Sequence, residues 1–361
     1  MSGTQGTNVA IAHDYLVQFG GAERVVQSWV DAWPRASVST LAYLPDRTYG
    51  TFRSAQINVR LTSQFAAAHV DALLPLLPVL SKGFVIPGDA DIALISTSGF
   101  AHMFKFCGPK VVYFHSPARW LYESSLYKQG LTRSKRIALT VSTPHLRRYD
   151  KLVKDSRTNV VANSRVTQAR IWRAYGINSE VINPPVREIR ESYETLSRTL
   201  PDNFLLCVAR ARGYKNVELA VRAARRAGIT LVVAGTGTES LGDSPDLRGM
   251  GRVSDGQLRS LYRAASAVLL TGDEDFGLTG PEANLEGTPS VAVPKGGYLE
   301  TVTEGENGYL STEETPESLS DAIHQVLDHE WPNLADYARK RFSLSTHVAK
   351  IEEQFRSLIR Q

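Results

Sequence analysis

The stretch Glu274-Asp275-Phe276-Gly277-Leu278-Thr279-Gly280-Pro281-Glu282 sets two carboxylates eight positions apart around a Phe-Gly-Leu turn. The apolar run Ala265 to Leu270 before it reads as a buried strand, and the residues after it as a helix ending at Gly287. Pro281 suits a first helical position, where its missing N–H costs nothing. A loop of this kind presents backbone N–H groups and a positive dipole end to a phosphate. With a carboxylate on each side, such a phosphate site suits a sugar nucleotide. One carboxylate would hold ribose hydroxyls and the other the sugar.

Cations stand where such a ligand needs them. The strand Leu205 to Ala209 runs into Arg210-Ala211-Arg212-Gly213-Tyr214-Lys215-Asn216, and loops that follow strand ends are where α/β sheets bind ligands. Arg210 can grip a phosphate in a bidentate way and Lys215 can act as a point charge. In the first half, Gly20-Gly21-Ala22-Glu23-Arg24-Val25 opens a helix after a strand and a loop. Gly20 and Gly21 would let the backbone approach a ligand, and the helix start favours an anion. His115 closes the strand Val111 to Phe114.

The elements around these residues alternate. Val9–Ala12, Ile92–Ile95, Val111–Phe114, Val160–Asn163 and Val181–Ile182 read as strands, and Ala22 to about Trp33 as a helix with Val25, Val26, Trp29 and Val30 on one face. A second alternation has strands at Phe204–Ala209, Thr230–Ala234, Ala267–Leu270 and Ser290–Val293, and helices at Val217–Ala227 and Asp255–Ala264. This rhythm implies two parallel-sheet α/β domains. We expect an N-terminal domain over 1–190, a polar linker over 191–203, a nucleotide-binding domain over 204–344 and a final helix over 345–361. In that helix Val348, Ile351, Phe355 and Ile359 share a face.

Composition bounds the rest. The 361 residues are 42% hydrophobic, with 41 Lys and Arg against 37 Asp and Glu, so the charge does not argue for nucleic acid. Cys107 and Cys207 make neither a disulfide framework nor a zinc spacing and suit a reducing compartment. The N-terminal residues lack a basic, apolar leader, and the most apolar stretch, Phe65 to Leu80, is broken by His69, Asp71, Pro75 and Pro78. A cytoplasmic location is expected, with attachment to the inner membrane face as an addition. The basic run Lys128 to Arg157 suits an anionic membrane surface, and the apolar stretch 72–77 could sit nearby and insert shallowly.

The text Glu274 to Ala283, then Gly287-Thr288-Pro289, then Gly296-Gly297 resembles the retaining glycosyltransferases of family 4, marked by Glu-x7-Glu in a Phe-Gly-Leu setting. Arg210 and Lys215 match that family's Arg-x4-Lys, with Ala211 and Tyr214 departing from its usual neighbours. Gly20 to Val25, Gly251-Arg252-Val253-Ser254-Asp255, Ala162-Asn163-Ser164 and Asn183-Pro184-Pro185-Val186 resemble further landmarks. The resemblance runs from Gly20 to Gly308. It implies a GT-B fold, two Rossmann-like doubly wound domains facing a central cleft, with the last helix returning to the N-terminal domain.

It also implies transfer of a hexose with retention, mannose from GDP-mannose, to a glycan or lipid-linked glycan acceptor. Glu274, His115, Arg210 and Lys215 would be catalytic, the His through His115-Ser116-Pro117-Ala118-Arg119. The diphosphate, sugar and base would meet Gly20, Gly21, Arg210, Lys215, Arg252, Val253, Phe276, Gly277, Leu278 and Glu282. A UDP- or dTDP-sugar transferase, a UDP-sugar epimerase and an inactive nucleotide-sugar-binding protein are the alternatives. Asp89-Ala90-Asp91 looks like the metal-binding pair of the other large glycosyltransferase fold but precedes its strand, so it reads as a turn. No metal and no other cofactor are expected. Asn284-Leu285-Glu286 departs from the family, and Glu286 is left to solvent or a partner.

Overall fold

The computed structural model describes residues 7–123, 133–150, 156–186, 188, 192–196, 199–210 and 215–359, with the side chains of 71, 72, 74 and 133–139 outside that set. The chain divides into two compact units, Met1–Pro185 with Leu344–Gln361, and Val186–Ser343.

The first unit is built on seven parallel strands: β1 Val9–His13, β2 Ser37–Thr40, β3 Ile57–Val59, β4 Ile92–Thr97, β5 Lys110–Phe114, β6 Thr158–Ala162 and β7 Glu180–Val181. Their order is β3-β2-β1-β4-β5-β6-β7. β1 and β4 are buried along their whole length, as strands covered on both faces must be. Val25, Val26, Trp29 and Val30 of the helix Gly21–Ala32 pack inward on the expected face.

The helix Leu344–Ile359 belongs to this unit and packs on β5, β6 and the helix Gly21–Ala32. Its buried face is His347, Ile351, Phe355 and Leu358, whereas Ile359 is exposed. The expected face is thus rotated by about one residue. The reason is polar: His347 Nδ1 donates to Asn183 O at 2.8 Å, and His347 Nε2 accepts from Trp29 Nε1 at 2.9 Å. A histidine satisfied at both nitrogens turns inward where an apolar period points to Val348.

The second unit has β8 Phe204–Val208, β9 Thr230–Ala234, β10 Asp243–Ser244, β11 Leu247–Gly251, β12 Ala267–Leu270, β13 Ser290–Ala292 and β14 Gly308–Leu310. The order is β10-β11-β9-β8-β12-β13-β14, parallel except for the edge pair β10–β11. Each sheet therefore reverses its direction of winding at one place, between β1 and β4 in the first and between β8 and β12 in the second. Ligands of open α/β sheets bind outside the carboxyl ends of the strands at such switch points.

Two sequence expectations change here. The stretch 191–203, read as a linker, is bound to the second unit in its described part. Ser254 Oγ donates to Glu194 Oε2 at 2.7 Å, Ser260 Oγ donates to Glu194 O at 2.9 Å, and Leu196 and Leu200 pack on the core. Pro281 is the third residue of the helix Thr279–Leu285, not the first. Its missing N–H is still among the four that a helix start leaves unbonded.

Candidate functional site

At the switch point of the second sheet, the loop after β8 and the loop after β12 meet. Lys215 Nζ lies 3.0 Å from Glu274 Oε1 and also donates to Val208 O at 3.0 Å. Thr271 Oγ1, just past β12, donates to Lys215 O at 2.8 Å and lies 3.1 Å from Asn216 O. Asn216 has a left-handed backbone (φ 46°), and its side chain accepts from Leu219 N to start the helix Val217–Ala227. So one hydroxyl and one strained turn fix the lysine that faces Glu274. Both charged side chains keep partial exposure, 27% for Lys215 and 17% for Glu274, so the pair is open to exchange partners with a ligand. Arg210 is exposed at the end of β8, while Ala211 to Tyr214 lie outside the described residues.

The turn that carries Glu274 depends on missing side chains. Gly277 has φ +86°, and a Cβ there would lie 2.6 Å from the Tyr298 ring. Gly296, at φ +63°, leaves room for Glu274 O, 2.6 Å from where its Cβ would stand. Gly297 packs on the Phe276 backbone and its N–H bonds Glu274 O at 2.8 Å. Phe276 is buried with Val186 and Phe342, its ring edge-on to Phe342 at 5.6 Å, and Leu278 packs on the same cluster. The Phe276 side chain is therefore an anchor for the turn. Glu282 is buried and accepts from Tyr262 OH at 3.1 Å.

Burial pushes the neighbouring Cys207 thiol up to about 11 despite the pull of Lys215, so it is an inert thiol. Arg252 is exposed just past β11, and Val253 packs on the core before Ser254 caps the next helix with Gln257.

The first unit places His115 in a buried chain of polar groups. His115 Nε2 is 2.9 Å from Ser96 Oγ, and Ser96 Oγ is 2.9 Å from His13 Nδ1. His13 Nε2 is 3.8 Å from Glu23 Oε1, which accepts from Gln18 Nε2 at 2.9 Å. Burial first, then the charges of His13 and His347, lower the His115 pKa to about 3, so its ring is neutral. Gly20, the cap of the helix Gly21–Ala32, is extended (φ −139°), and a Cβ on it would collide with Glu23 Oε2. The glycine makes room for the protein's own carboxylate there.

Sequence reasoning missed Asp14. Its buried carboxylate accepts four backbone N–H groups from the loop after β4: Ser98 at 2.6 Å and Gly99 at 2.9 Å on Oδ2, Phe100 at 2.7 Å and Ala101 at 2.6 Å on Oδ1. It also missed the partners of Glu286, which accepts from Arg259 Nε at 2.8 Å and Tyr193 OH at 3.0 Å. That residue is tied inside the second unit, not left to solvent. Asp91 Oδ2 accepts from Asn8 N at 2.8 Å and so holds the chain before β1. Among the described residues no group of three or more His, Cys, Asp or Glu could hold a metal ion.

Residues 189–342 match the family described as Glycosyl transferases group 1. A D-inositol 3-phosphate glycosyltransferase of Corynebacterium urealyticum is 35% identical over 126 residues, 33% of this chain and 30% of the relative. One of Paenarthrobacter aurescens is 27% identical over 210 residues, 50% of the chain and 51% of the relative. The chain thus spans about a third to a half of the length of these curated relatives. Two solved structures are similar over nearly the whole chain. Anabaena HepE in complex with UDP-glucose has a TM-score of 0.66 at 21% identity, covering 97% of this chain and 100% of that one. Sucrose-phosphate synthase from Thermosynechococcus elongatus has a TM-score of 0.69 at 16% identity, covering 97% and 99%. These likenesses show the fold to be GT-B. The second unit, over almost all of its length, carries the match to the group 1 glycosyl transferases.

Proposed function

We propose that this chain is a retaining glycosyltransferase that moves a hexose from a nucleotide-diphosphate sugar to a glycan or lipid-linked glycan. The observation that carries this reading is the Lys215–Glu274 pair at 3.0 Å on the switch point of the second sheet, inside the matched segment. Transfer builds negative charge on the departing diphosphate and positive charge on the sugar, and preorganised charges of opposite sign lower both. Lys215 and Arg210 meet the diphosphate, Glu274 faces the sugar and Glu282 the ribose. Lys215 holds Glu274 in place until the donor arrives. In a front-face substitution the leaving phosphate itself takes the acceptor proton, so no enzymic nucleophile is needed. His115, neutral and at a strand end, is the catalytic group proposed in the first unit on the resemblance of His115-Ser116-Pro117-Ala118-Arg119.

GDP-mannose is the proposed donor on the resemblance of His115-Ser116-Pro117-Ala118-Arg119. A UDP-sugar is the second reading, favoured by the UDP-glucose complex of Anabaena HepE. Incubating the chain with GDP-mannose, UDP-glucose and dTDP-glucose, each with excess EDTA, and following slow donor hydrolysis by mass spectrometry tests both. One donor should be cleaved, and the Lys215→Ala variant should cleave it roughly 10²-fold more slowly. Donor binding without any cleavage would instead make the chain a nucleotide-sugar-binding protein, and rescue only by added manganese would overturn the metal-free mechanism.

We further propose peripheral attachment through the first unit. No helix among the described residues is long and apolar enough to cross a membrane. Yet Phe65 is 75% exposed, Leu76, Val79 and Val141 are exposed with it, and Lys82 lies over the Tyr149 ring at 5.0 Å. Most basic side chains of the run 128–157 lie outside the described residues. Co-sedimentation with anionic vesicles at low salt, lost with neutral vesicles or at high salt, is the expected result.

A further inference from the structure

The chain His13–Ser96–His115 has a proton count that constrains what it can do. Ser96 has one hydroxyl hydrogen and two imidazole neighbours, each at 2.9 Å. One contact must be donated by the hydroxyl and the other by a ring N–H. His13 decides which. Its second nitrogen faces the Glu23 carboxylate at 3.8 Å, so that nitrogen keeps its hydrogen in either charge state.

We propose that His13, Ser96 and His115 form a proton relay, in which a proton lost or gained at His115 Nδ1 changes the charge of His13 and the tautomer of His115. When His13 is charged, its Nδ1–H donates to Ser96, Ser96 donates to His115 Nε2, and the hydrogen of His115 sits on Nδ1. On discharge, the His13 Nδ1 hydrogen passes to Ser96 Oγ, the Ser96 hydrogen passes to His115 Nε2, and the His115 Nδ1 hydrogen leaves. Ser96 then donates back to His13 Nδ1, and His115 Nε2–H donates to Ser96. One proton leaves and every other hydrogen is accounted for. His115 Nδ1 has turned from donor to acceptor without that ring ever holding a charge at rest.

The surroundings place the charge on His13. Burial works against it, but the Glu23 carboxylate from the helix Gly21–Ala32, the charge of Asp14 beyond β1 and a hydrogen bond to the Ser96 backbone outweigh burial and hold the His13 pKa above its ordinary value. His115, flanked by His13 and by His347 of the final helix, is held far below. The Tyr113 ring packs edge-on against both His115, at 5.3 Å, and His347, at 5.7 Å. His347 is bonded at both nitrogens outside the chain, to Trp29 and Asn183, so it has no hydrogen to contribute. His13 is thus a positioning residue. On the proposed reading of His115, on which this consequence rests, it sets whether the ring donates to a sugar hydroxyl or accepts from it.

Nitrogen NMR of the full chain labelled at its histidines, ligand-free and titrated from acid to alkaline pH, tests the relay. His115 should pass from the Nδ1–H to the Nε2–H pattern with the same midpoint as the His13 titration. Ser96→Ala should uncouple them, leaving His115 in one tautomer while His13 still titrates. A His115 ring that keeps one tautomer through the wild-type His13 transition overturns the relay, with no variant needed, as does a tautomer change that survives Ser96→Ala. The pH profile of donor cleavage separates the relay from the function. A step at the His13 midpoint, lost in Ser96→Ala, supports both. NMR coupling without such a step supports the relay and removes His115 from the sugar site.

Discussion

The two sheets reverse their winding at equivalent places and fill those places with opposite charges. Between β1 and β4, the four N–H groups of residues 98–101 converge on the Asp14 carboxylate. Such a concavity of backbone N–H groups is a ready anion site, and here the anion is built in. Between β8 and β12, the corresponding loops bring a cation, Lys215, against a carboxylate on a glycine-shaped turn. The same topology therefore yields a latch in one unit and a partly exposed, charge-balanced site in the other. Winding locates a crevice, and the residue that reaches it from the first strand's loop decides whether a ligand can.

The contrast is broken or sharpened most strongly at Asp14. Asp14→Ala leaves four N–H groups without an acceptor, three of them buried, at about 1–3 kcal/mol for each buried one, so the first unit should lose roughly 3 kcal/mol or more. Denaturant unfolding followed by tryptophan fluorescence reads this unit well, because Trp29, Trp33, Trp120 and Trp172 belong to it and Trp331 alone to the other. A loss under about 1 kcal/mol would mean that the loop after β4 finds other acceptors and the latch is illusory.

Lys215→Ala should do the reverse. Turnover should fall roughly 10²-fold, about 2.7 kcal/mol of barrier, while the unfolding midpoint stays near that of the wild type. If stability falls by more than activity, Lys215 is a latch like Asp14 and the contrast disappears.

Acid should separate the units next. His115 and His347 are held down to about 3 and about 4, chiefly by burial. The unfolded chain takes up protons below about pH 6.5 that these rings refuse. Their stabilisation is complete above that value and falls by about 1.4 kcal/mol per pH unit per group as pH drops towards their folded values. His13, held above its ordinary value, has the opposite sign: its contribution is present below about pH 6.5 and fades as pH rises through its folded pKa. Among the described residues the second unit buries no histidine. Urea midpoints at pH 7 and pH 5 should therefore fall for the tryptophan signal of the first unit while donor-nucleotide binding to the second persists. Equal loss in both would place the acid sensitivity elsewhere.

The smallest effect belongs to Thr271→Val. The variant removes the hydroxyl that bonds the carbonyls of Lys215 and Asn216, at about 1 kcal/mol. Donor affinity should weaken more than this stability loss. An unchanged affinity would show that Asn216 alone holds the lysine.

What could be read from the residues follows the range of the forces involved. Helices such as Val217–Ala227 and Asp255–Ala264 were legible to the residue because apolar period and caps lie within the segment itself. Lys215 and Glu274 were each legible as loop residues after a strand, but not their approach, because the order of the sheet sets β8 beside β12. Asp14 was not, because its partners are backbone groups more than eighty residues away, and N–H groups carry no side-chain signature. Phe276 was taken as part of a donor site because it sits in a functional run, yet its ring serves packing with Phe342. The face of the last helix was displaced because His347 counts as polar by type and is buried by its two hydrogen bonds. Tyr193 and Glu286 show the same limit. Each looks solvated alone, and together with Arg259 and Arg263, stacked on the Tyr193 ring at 4.2 and 5.0 Å, they strap the segment before β8 to the unit.

The division at Pro185/Val186 and Ser343/Leu344 makes the second unit a continuous insertion in the first. On a ribosome this reverses the usual order, in which the N-terminal part of a chain closes first. Residues 186–343 have all their partners as soon as they emerge. The earlier sheet must wait, with Trp29 Nε1, Asn183 O and the Trp33 ring uncovered, until His347 and Phe355 arrive. The first unit is then the last part to become native, and a nascent chain arrested before residue 344 would hold one finished unit behind an unfinished one that a chaperone could still grip.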